Sequence, residues 1–456
     1  MNLRMSWEEL AKAAQGRLSF GHSGDPVESI SIDSRTLKPS QAFWALKGPR
    51  YDGHDFLGSE AARKASGWIV ETGRAQKAAA RPEHLIEVRD TGKALLALAA
   101  DYRRKFEIPV VGVTGSNGKT TTKEMLRSIC EKAAPTCTSP GNWNNHIGTP
   151  LSVLELLPEH RYAIFELADS KPGDILEIAQ VAQPTVAVIT NIGPDHMEFY
   201  ANLEQNFRTK AEILEGLPAD GKAVINADDP WLESLETRLG ERAVTFGLGE
   251  RARVRFSGAE EMLIDRVKIC VKLQVFGDLS RYNACAAAAA AWALGIKPDV
   301  IRQGLESFKP SGMRLERLKH PSGCDIVLDA YNANPASMRA SISAFCSEFA
   351  GRPKVLVLGD MKELGAGSAE FHRELGQWLA SLPLKAVYLA GPEMEKAGAA
   401  LKSTAPFPVH YGKDAPELKR ELKSEFKAGQ ILLFKASRAM RLEALLEGEG
   451  AACSTI

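Results

Sequence analysis

An α/β protein of about three domains is predicted by this sequence, and three observations predict it. The chain has 456 residues, too many for one ordinary core. From residue 110 onward, short apolar β-branched runs alternate with helical patterns, as in parallel sheets wrapped by helices. One such run, Val110 to Val113, stops at a glycine-rich turn, and Gly118-Lys119-Thr120 then opens a helical pattern.

The first block, 1–106, has strand-like pieces at 29–33, 42–46 and 67–70 between helical patterns. An Ala/Leu-rich helix over 92–106 leads through Ile108-Pro109 into the next block. The second block, 107–310, has strand candidates at 110–113, 162–165, 185–190, 223–225 and 243–246. Six consecutive alanines, 286–291, predict a helix packed very close to its neighbours, and Pro298 and Pro310 bracket the end of the block. The third block, 311–456, restarts the alternation at 325–328, 354–358, 386–389 and 430–434, as in a doubly wound, Rossmann-like domain.

Composition excludes several classes. Lys plus Arg equals Asp plus Glu at 57 each, so no overall field favours nucleic acid or anionic lipid. The N-terminus carries acids where a signal peptide needs an apolar core, and no run of about 18 apolar residues exists to span a bilayer. Seven scattered cysteines without a Cys-x-x-Cys pair point to reduced thiols and a cytoplasmic protein.

The segment 113–122 has the parts of a polyphosphate site. A strand aims the loop, Gly115, Ser116, Asn117 and Gly118 expose successive backbone N–H groups, and the helix N-terminus adds positive potential. Lys119 can reach terminal phosphates and the Thr120 hydroxyl can ligate Mg²⁺, with Thr121 following. The usual pattern has four residues between its first Gly and the Gly-Lys, and this chain has Val113 at that first position, so the mechanical parts are present without the strict spacing. Other polar residues cluster at predicted strand ends, where open α/β sheets place their sites: Glu166, Thr190 to His196, Asp329 to Asn334, and Gly359-Asp360. Glu166 and His196 suit a divalent cation near a γ-phosphate. Lys210, in a helical pattern, reads by itself as a solvated lysine.

Together these motifs resemble a family. Thr114 to Thr120, Gly141-Asn-Trp-Asn-Asn-His-Ile-Gly-Thr-Pro150, Thr190-Asn-Ile-Gly-Pro-Asp-His196 and Lys210-Ala-Glu-Ile213 are similar to the Mur ligases, ATP-dependent amide ligases of peptidoglycan synthesis. Asp329 to Met338, Gly359 to Leu364 with His372, and Lys435 to Arg441 resemble the members that act on D-alanyl-D-alanine. The resemblance implies a small N-terminal α/β uridine-nucleotide domain (1–106), a central P-loop ATPase-type domain with a mostly parallel sheet (107–310) and a C-terminal Rossmann-like domain that takes the dipeptide (311–456). It implies that ATP phosphorylates the carboxylate of UDP-N-acetylmuramoyl-tripeptide, and that the amine of D-alanyl-D-alanine then attacks the acyl phosphate.

Roles follow residue by residue. Lys119, Lys210 and His196 are implied as catalytic, with residues 115–121, Asn283, Arg314, Asp329 and Asn332 on ATP. Two Mg²⁺ ions are implied, on Thr120, Glu166, His196 and Lys210, the lysine being carbamylated (N6-carboxylated), which requires a depressed amine pKa. Ser34, Arg35 and Lys47 are implied for the uridine nucleotide, Asn144 and Asn145 for the muramoyl-peptide, and Lys435, Ser437 and Arg438 for the dipeptide carboxylate. The protein is expected to act as a monomer. Four positions depart from the family pattern: Ala168 stands where Gly is usual and is expected to crowd a positive-φ backbone, Leu279 and Ser280 replace a His and an Asn near the adenine, and Ala436 replaces a Gly. Alternatives are an amino-acid-adding Mur ligase, whose Asp-Asn-Pro-Arg motif this chain lacks, a folylpolyglutamate synthetase, which lacks the uridine domain, and a nucleotide-binding protein without catalysis.

Overall fold

The computed structural model describes residue 3 and residues 5–77, 81–195, 198–446 and 454–455. The chain divides into two compact units: Met1–Thr114 with Ala133–Val188 and Thr209–Ala223, and Gly115–Lys132 with Ile189–Arg208 and Val224–Ile456.

The first unit begins with a five-stranded sheet ordered Arg17–Phe20, Leu85–Val88, Gly67–Glu71, Gln41–Trp44 and Ser29–Ser31. Its last four strands run parallel, and only the Arg17–Phe20 edge is antiparallel. Phe43, Trp68 and Val70 supply its core. The helix Thr91–Arg103 starts where the Asp90 side chain accepts the Lys93 N–H, and it buries Leu95, Leu98 and Tyr102. Arg103 at its end is 5% exposed and donates to the Ala182 and Phe106 carbonyls, which supply the acceptors a buried guanidinium needs. Beyond it, Val110–Thr114 pairs in parallel with Tyr162–Glu166, which in turn pairs with Thr136–Thr138. This register sets Glu166 opposite Val113, so the acid arrives at the carboxyl end of the sheet beside the strand that feeds the glycine turn.

In the second unit the alanine run lies in the helix Asp278–Ala293, and Ala284 to Ala291 are all buried, as methyl-only packing predicts. Before that helix lies an antiparallel meander, Val254–Phe256, Glu261–Ile264 and Val267–Cys270, that the apolar pattern does not predict. A seven-stranded sheet follows, ordered Val409–Gly412, Ala386–Ala390, Lys354–Gly359, Ile431–Lys435, Asp325–Asp329, Glu316–Lys319 and Ser454–Thr455. Its first five strands are parallel and the last two are antiparallel additions. Because Ile431–Lys435 sits between Lys354–Gly359 and Asp325–Asp329, the chain segments after 329, 359 and 435 emerge side by side. No described helix is long and apolar enough to cross a membrane.

Candidate active site

The glycine turn is shaped by what presses on it. Gly115 has φ +134° and Gly118 has φ +85°; a Cβ would lie 2.0 Å from Thr190 Oγ1 at the first and 2.2 Å from Asn283 Oδ1 at the second. No side chain fits at either position. Thr190-Asn191-Ile-Gly-Pro-Asp195 wraps the turn. The Ser116 N–H donates to the Asn191 carbonyl and the Asn117 N–H to Asn191 Oδ1, both at 2.9 Å. Asn191 Nδ2 and the Thr190 hydroxyl donate back to the Asn117 carbonyl at 2.9 and 2.6 Å.

This corrects the expectation of successive exposed amides. Those of Ser116 and Asn117 are committed to Asn191, and the anion-binding potential rests on the first turn of the helix Lys119–Ala133. The Ser116 hydroxyl accepts the Gly193 N–H at 2.9 Å and donates to Asp195 Oδ1 at 2.7 Å, while Asn206 Nδ2 donates to the same oxygen at 2.8 Å. Asp229 accepts the Ile192 N–H at 2.7 Å, and burial pushes its carboxyl above the usual range. Lys119 turns back on the loop, donating to the Gly115 carbonyl at 2.5 Å and the Ser116 carbonyl at 3.4 Å. Asn283, expected on ATP, is 5% exposed under Gly118 and accepts the Thr122 hydroxyl at 3.4 Å. His196 lies outside the described residues.

The first unit holds the acids. Glu166 is 2% exposed; its Oε1 accepts Asn144 Nδ2 at 2.8 Å and its N–H donates to Ser139 Oγ at 3.1 Å. Asn145 Oδ1 accepts the Ile147 and Gly148 N–H groups, so it shapes the turn into the helix Gly148–Val153. Ala168 is outside the positive-φ region and its N–H donates to the Asn144 carbonyl at 2.8 Å, which overturns the expected clash.

Lys210 is fully buried, with Nζ 3.1 Å from Asp169 Oδ2, whose side chain is 1% exposed. The solvated-lysine reading is therefore wrong: helical periodicity reports which residues share a face, not what packs over it. Asp169 went unnoticed in the sequence; its only signal is an acid three residues past the strand-end Glu166.

Among the described residues no group of three or more His, Cys, Asp or Glu forms a metal site. The Thr120 hydroxyl and the Glu166 carboxylate are nonetheless the buried oxygen donors a hard cation prefers. A carbamate on Lys210 would replace the ammonium facing Asp169 by a second anion in a buried place, an arrangement that requires a cation. Each of these groups, taken by itself, offers the oxygen chemistry that Mg²⁺ takes. Cys130, Cys137 and Cys285 are unsuited to thiolate chemistry, being buried and pushed up to about 12.

At the strand ends of the seven-stranded sheet, Lys435 is 2% exposed and donates to Asp329 Oδ2 at 2.7 Å and to the Asn332 carbonyl at 3.1 Å. Ser341 donates to the same Asp329 oxygen at 2.8 Å, and the Arg314 guanidinium lies 3.9 Å from the Tyr331 ring centre. The Ser437 hydroxyl accepts the Lys362 N–H at 2.9 Å, while half-exposed Arg438 pairs with Glu443. Asp360, fully buried, accepts the Glu393 and Met394 N–H groups at 3.1 and 2.9 Å and Lys362 Nζ at 2.8 Å. In the N-terminal sheet, exposed Arg35 forks onto Asp33 at 2.7 and 2.9 Å and lowers that carboxyl to about 2, with half-buried Ser34 between them and Lys47 exposed at the next strand end.

Three family models match the chain: "Mur ligase family, catalytic domain" over 26–103, "Mur ligase middle domain" over 113–291 and "Mur ligase, glutamate ligase domain" over 313–438. The chain is 36% identical to the UDP-N-acetylmuramoyl-tripeptide–D-alanyl-D-alanine ligase of Bacillus subtilis, across 92% of this chain and 93% of that one. It is 32% identical to the ligase of the same name from Escherichia coli, across 91% and 92%. Among solved structures it resembles MurF from Acinetobacter baumannii (TM-score 0.87, 31% identity, 97% and 98% covered). It also resembles MurF from Thermotoga maritima in complex with ADP (TM-score 0.80, 32% identity, 92% and 96% covered).

Proposed function

Because the chain belongs to the Mur ligase family, we propose that its phosphate turn, buried acids and strand-end cations divide among them the steps of one amide-forming reaction. The protein is an ATP-dependent ligase of peptidoglycan synthesis that joins D-alanyl-D-alanine to UDP-N-acetylmuramoyl-tripeptide. The observation that carries this is the 36% identity running through 92% of the chain, with the phosphate turn folded intact within it.

A peptide carboxylate is a poor acyl donor, so the γ-phosphate of ATP is transferred to it first. Phosphoryl transfer depends on positioning and charge neutralisation. Lys119 already faces two carbonyl oxygens and exchanges them for phosphate oxygens. Thr120 and Glu166 would hold one Mg²⁺, and His196 with N6-carboxylated Lys210 a second; the chemistry such ions would supply is charge neutralisation during phosphoryl transfer. Asn283, Arg314, Asp329 and Asn332 serve the nucleoside end. The dipeptide amine then attacks the acyl carbon, the C–N bond forms, and phosphate leaves with the C–O electrons.

For the dipeptide carboxylate, Arg438 is the readier cation. It is half exposed and its pair with Glu443 is worth little, whereas Lys435 must release Asp329. Ser437 orders that loop, Asn144 and Asn145 shape the muramoyl-peptide side, and Ser34, Arg35 and Lys47 take the uridine diphosphate. The corresponding domains are 1–106, 107–310 and 311–456, a division supported by the three family models. We assign the reaction to a cytoplasmic monomer.

The test is phosphate release from ATP by the purified protein, with each substrate alone and together. Release is expected only when UDP-muramoyl-tripeptide and D-alanyl-D-alanine are both present. Turnover with a single amino acid in place of the dipeptide would sink the assignment.

A further inference from the structure

The Asn117 side chain is held by a residue that has no role above. Asn334 is 4% exposed and opens the helix Pro335–Glu348. Its Oδ1 accepts the Ser337 N–H at 2.8 Å, and its own N–H donates to Ser337 Oγ at 3.0 Å. A backbone N–H can only donate, so Oδ1 must face Ser337 and Nδ2 must face the other way. There Nδ2 donates to Asn117 Oδ1 at 2.8 Å. The first amide thus orients the second, with Asn117 Nδ2 turned away from Asn334. The Asn117 backbone is already clamped by Thr190 and Asn191, which leaves Nδ2 as its one polar atom without a protein partner among the described residues.

We propose that Asn334 is a positioning residue for ATP: through its capping amide it holds Asn117 Nδ2 as a hydrogen-bond donor toward the polyphosphate. This rests on the reading of 115–121 as the nucleotide loop. The chain of constraint runs from a helix cap in the third block to a side chain on the phosphate turn, and each link is a hydrogen bond with a fixed direction. A donor oriented in advance binds an anion without first losing rotational freedom, and a bond to a charged acceptor is among the stronger kinds.

The experiment is calorimetric binding of a non-hydrolysable ATP analogue with Mg²⁺ to the full-length protein at fixed ionic strength, with thermal midpoints measured alongside. Asn334→Asp keeps an equally good cap but turns a carboxylate oxygen toward Asn117, whose amide must rotate and offer its oxygen to the phosphates. The analogue's Kd is expected to rise about 10-fold or more, with the midpoint unchanged. In an Asn117→Ala background the same change should cost much less, because only the added charge remains. Asn334→Ser keeps a cap too short to reach Asn117; it should weaken binding less than Asn334→Asp, and not at all in the Asn117→Ala background. Should Asn334→Asp fail to fold, the Asn334→Ser comparison in the two backgrounds decides. Equal penalties with and without Asn117, or normal binding by every variant, overturn the proposal. No binding by the unsubstituted protein overturns the nucleotide-loop reading and this proposal with it.

Discussion

Lys119, which opens the helix after the glycine turn, and Lys210, in the helix Leu203–Ala211, handle charge in opposite ways. Lys119 is half-buried and rests on two backbone carbonyls, which are dipoles and can be exchanged for a better anion. Lys210 is sealed from solvent against a full carboxylate, and an ion pair buried this completely is costly to break from either side. The difference teaches where the fold places its reversible and its permanent charge contacts. If Lys119 serves a nucleotide that loads and leaves in every turnover, as proposed, contacts to carbonyl dipoles are ones it can exchange. A site that organises the chemistry keeps its groups locked, and a change in their charge needs another ion to balance it.

The largest effect expected from this comparison is at the reversible site. Lys119→Ala removes the cation meant for the transferring phosphate, so kcat should fall by on the order of 10³-fold. Two of its contacts are exchangeable loop carbonyls, and the thermal midpoint is expected to change little. Steady-state kinetics beside a melting curve checks both halves. Undiminished turnover would remove this lysine from the mechanism, and a large drop in midpoint would show that it is structural after all.

At the locked site the balance between activity and stability reverses. In protein free of Mg²⁺ and bicarbonate, Lys210→Ala takes the ammonium away from the buried Asp169 carboxylate, which should cost about 3–5 kcal/mol. The double change Lys210→Ala with Asp169→Ala should recover most of that loss in denaturant unfolding. Under assay conditions the Lys210→Ala enzyme should lose on the order of 10²-fold in activity and regain part of it with a short-chain carboxylic acid, which stands in for the carbamate. A double change as unstable as the single one would mean that the ion pair is not what makes Lys210→Ala costly. Loss of activity without chemical rescue would count against carbamylation.

The contrast between these two lysines was only half legible in the sequence. The β-branched runs gave the strands from 110 onward because parallel strands buried on both faces leave a continuous apolar signal. The phosphate turn was readable because two glycines, a lysine and a threonine have few other reasons to occur in that order between a strand and a helix. The partners were not readable. Asn191 grips Asn117, and Asp169 meets Lys210, across 74 and 41 residues of chain, and no local pattern encodes such a meeting. The meander over 254–270 was missed because its strands are short and carry charged residues such as Arg255, Glu261 and Lys268 on their open faces, which blurs the apolar signal. Ala168 misled for a different reason: a glycine customary at a position does not establish that the backbone there has positive φ.

His372 offers the smallest test and sharpens the comparison, because it solves the burial problem a third way. It is fully buried, like Lys210, but among the described residues it has no counter-charge within bonding distance. Its Nδ1–H donates to the Ser368 carbonyl at 2.7 Å and its Nε2 accepts the Met361 N–H at 3.1 Å, which fixes the neutral tautomer. Burial holds its pKa below the usual 6.5, against smaller upward pulls from the Ser368 carbonyl, Asp360 and Glu393. Below pH 6.5 the unfolded chain therefore binds a proton that the folded protein resists. The stability this histidine contributes is complete above 6.5 and is lost as pH falls toward the folded value, by at most about 1.4 kcal/mol per pH unit. His372→Gln keeps an acceptor for Met361 and cannot be protonated. It should be less stable than the unsubstituted protein at pH 8, by about 1 kcal/mol for the lost bond to Ser368, yet show a flatter decline between pH 7 and pH 5. Denaturant unfolding at four or five pH values measures both, and parallel declines for the two proteins would show that His372 does not carry the acid sensitivity.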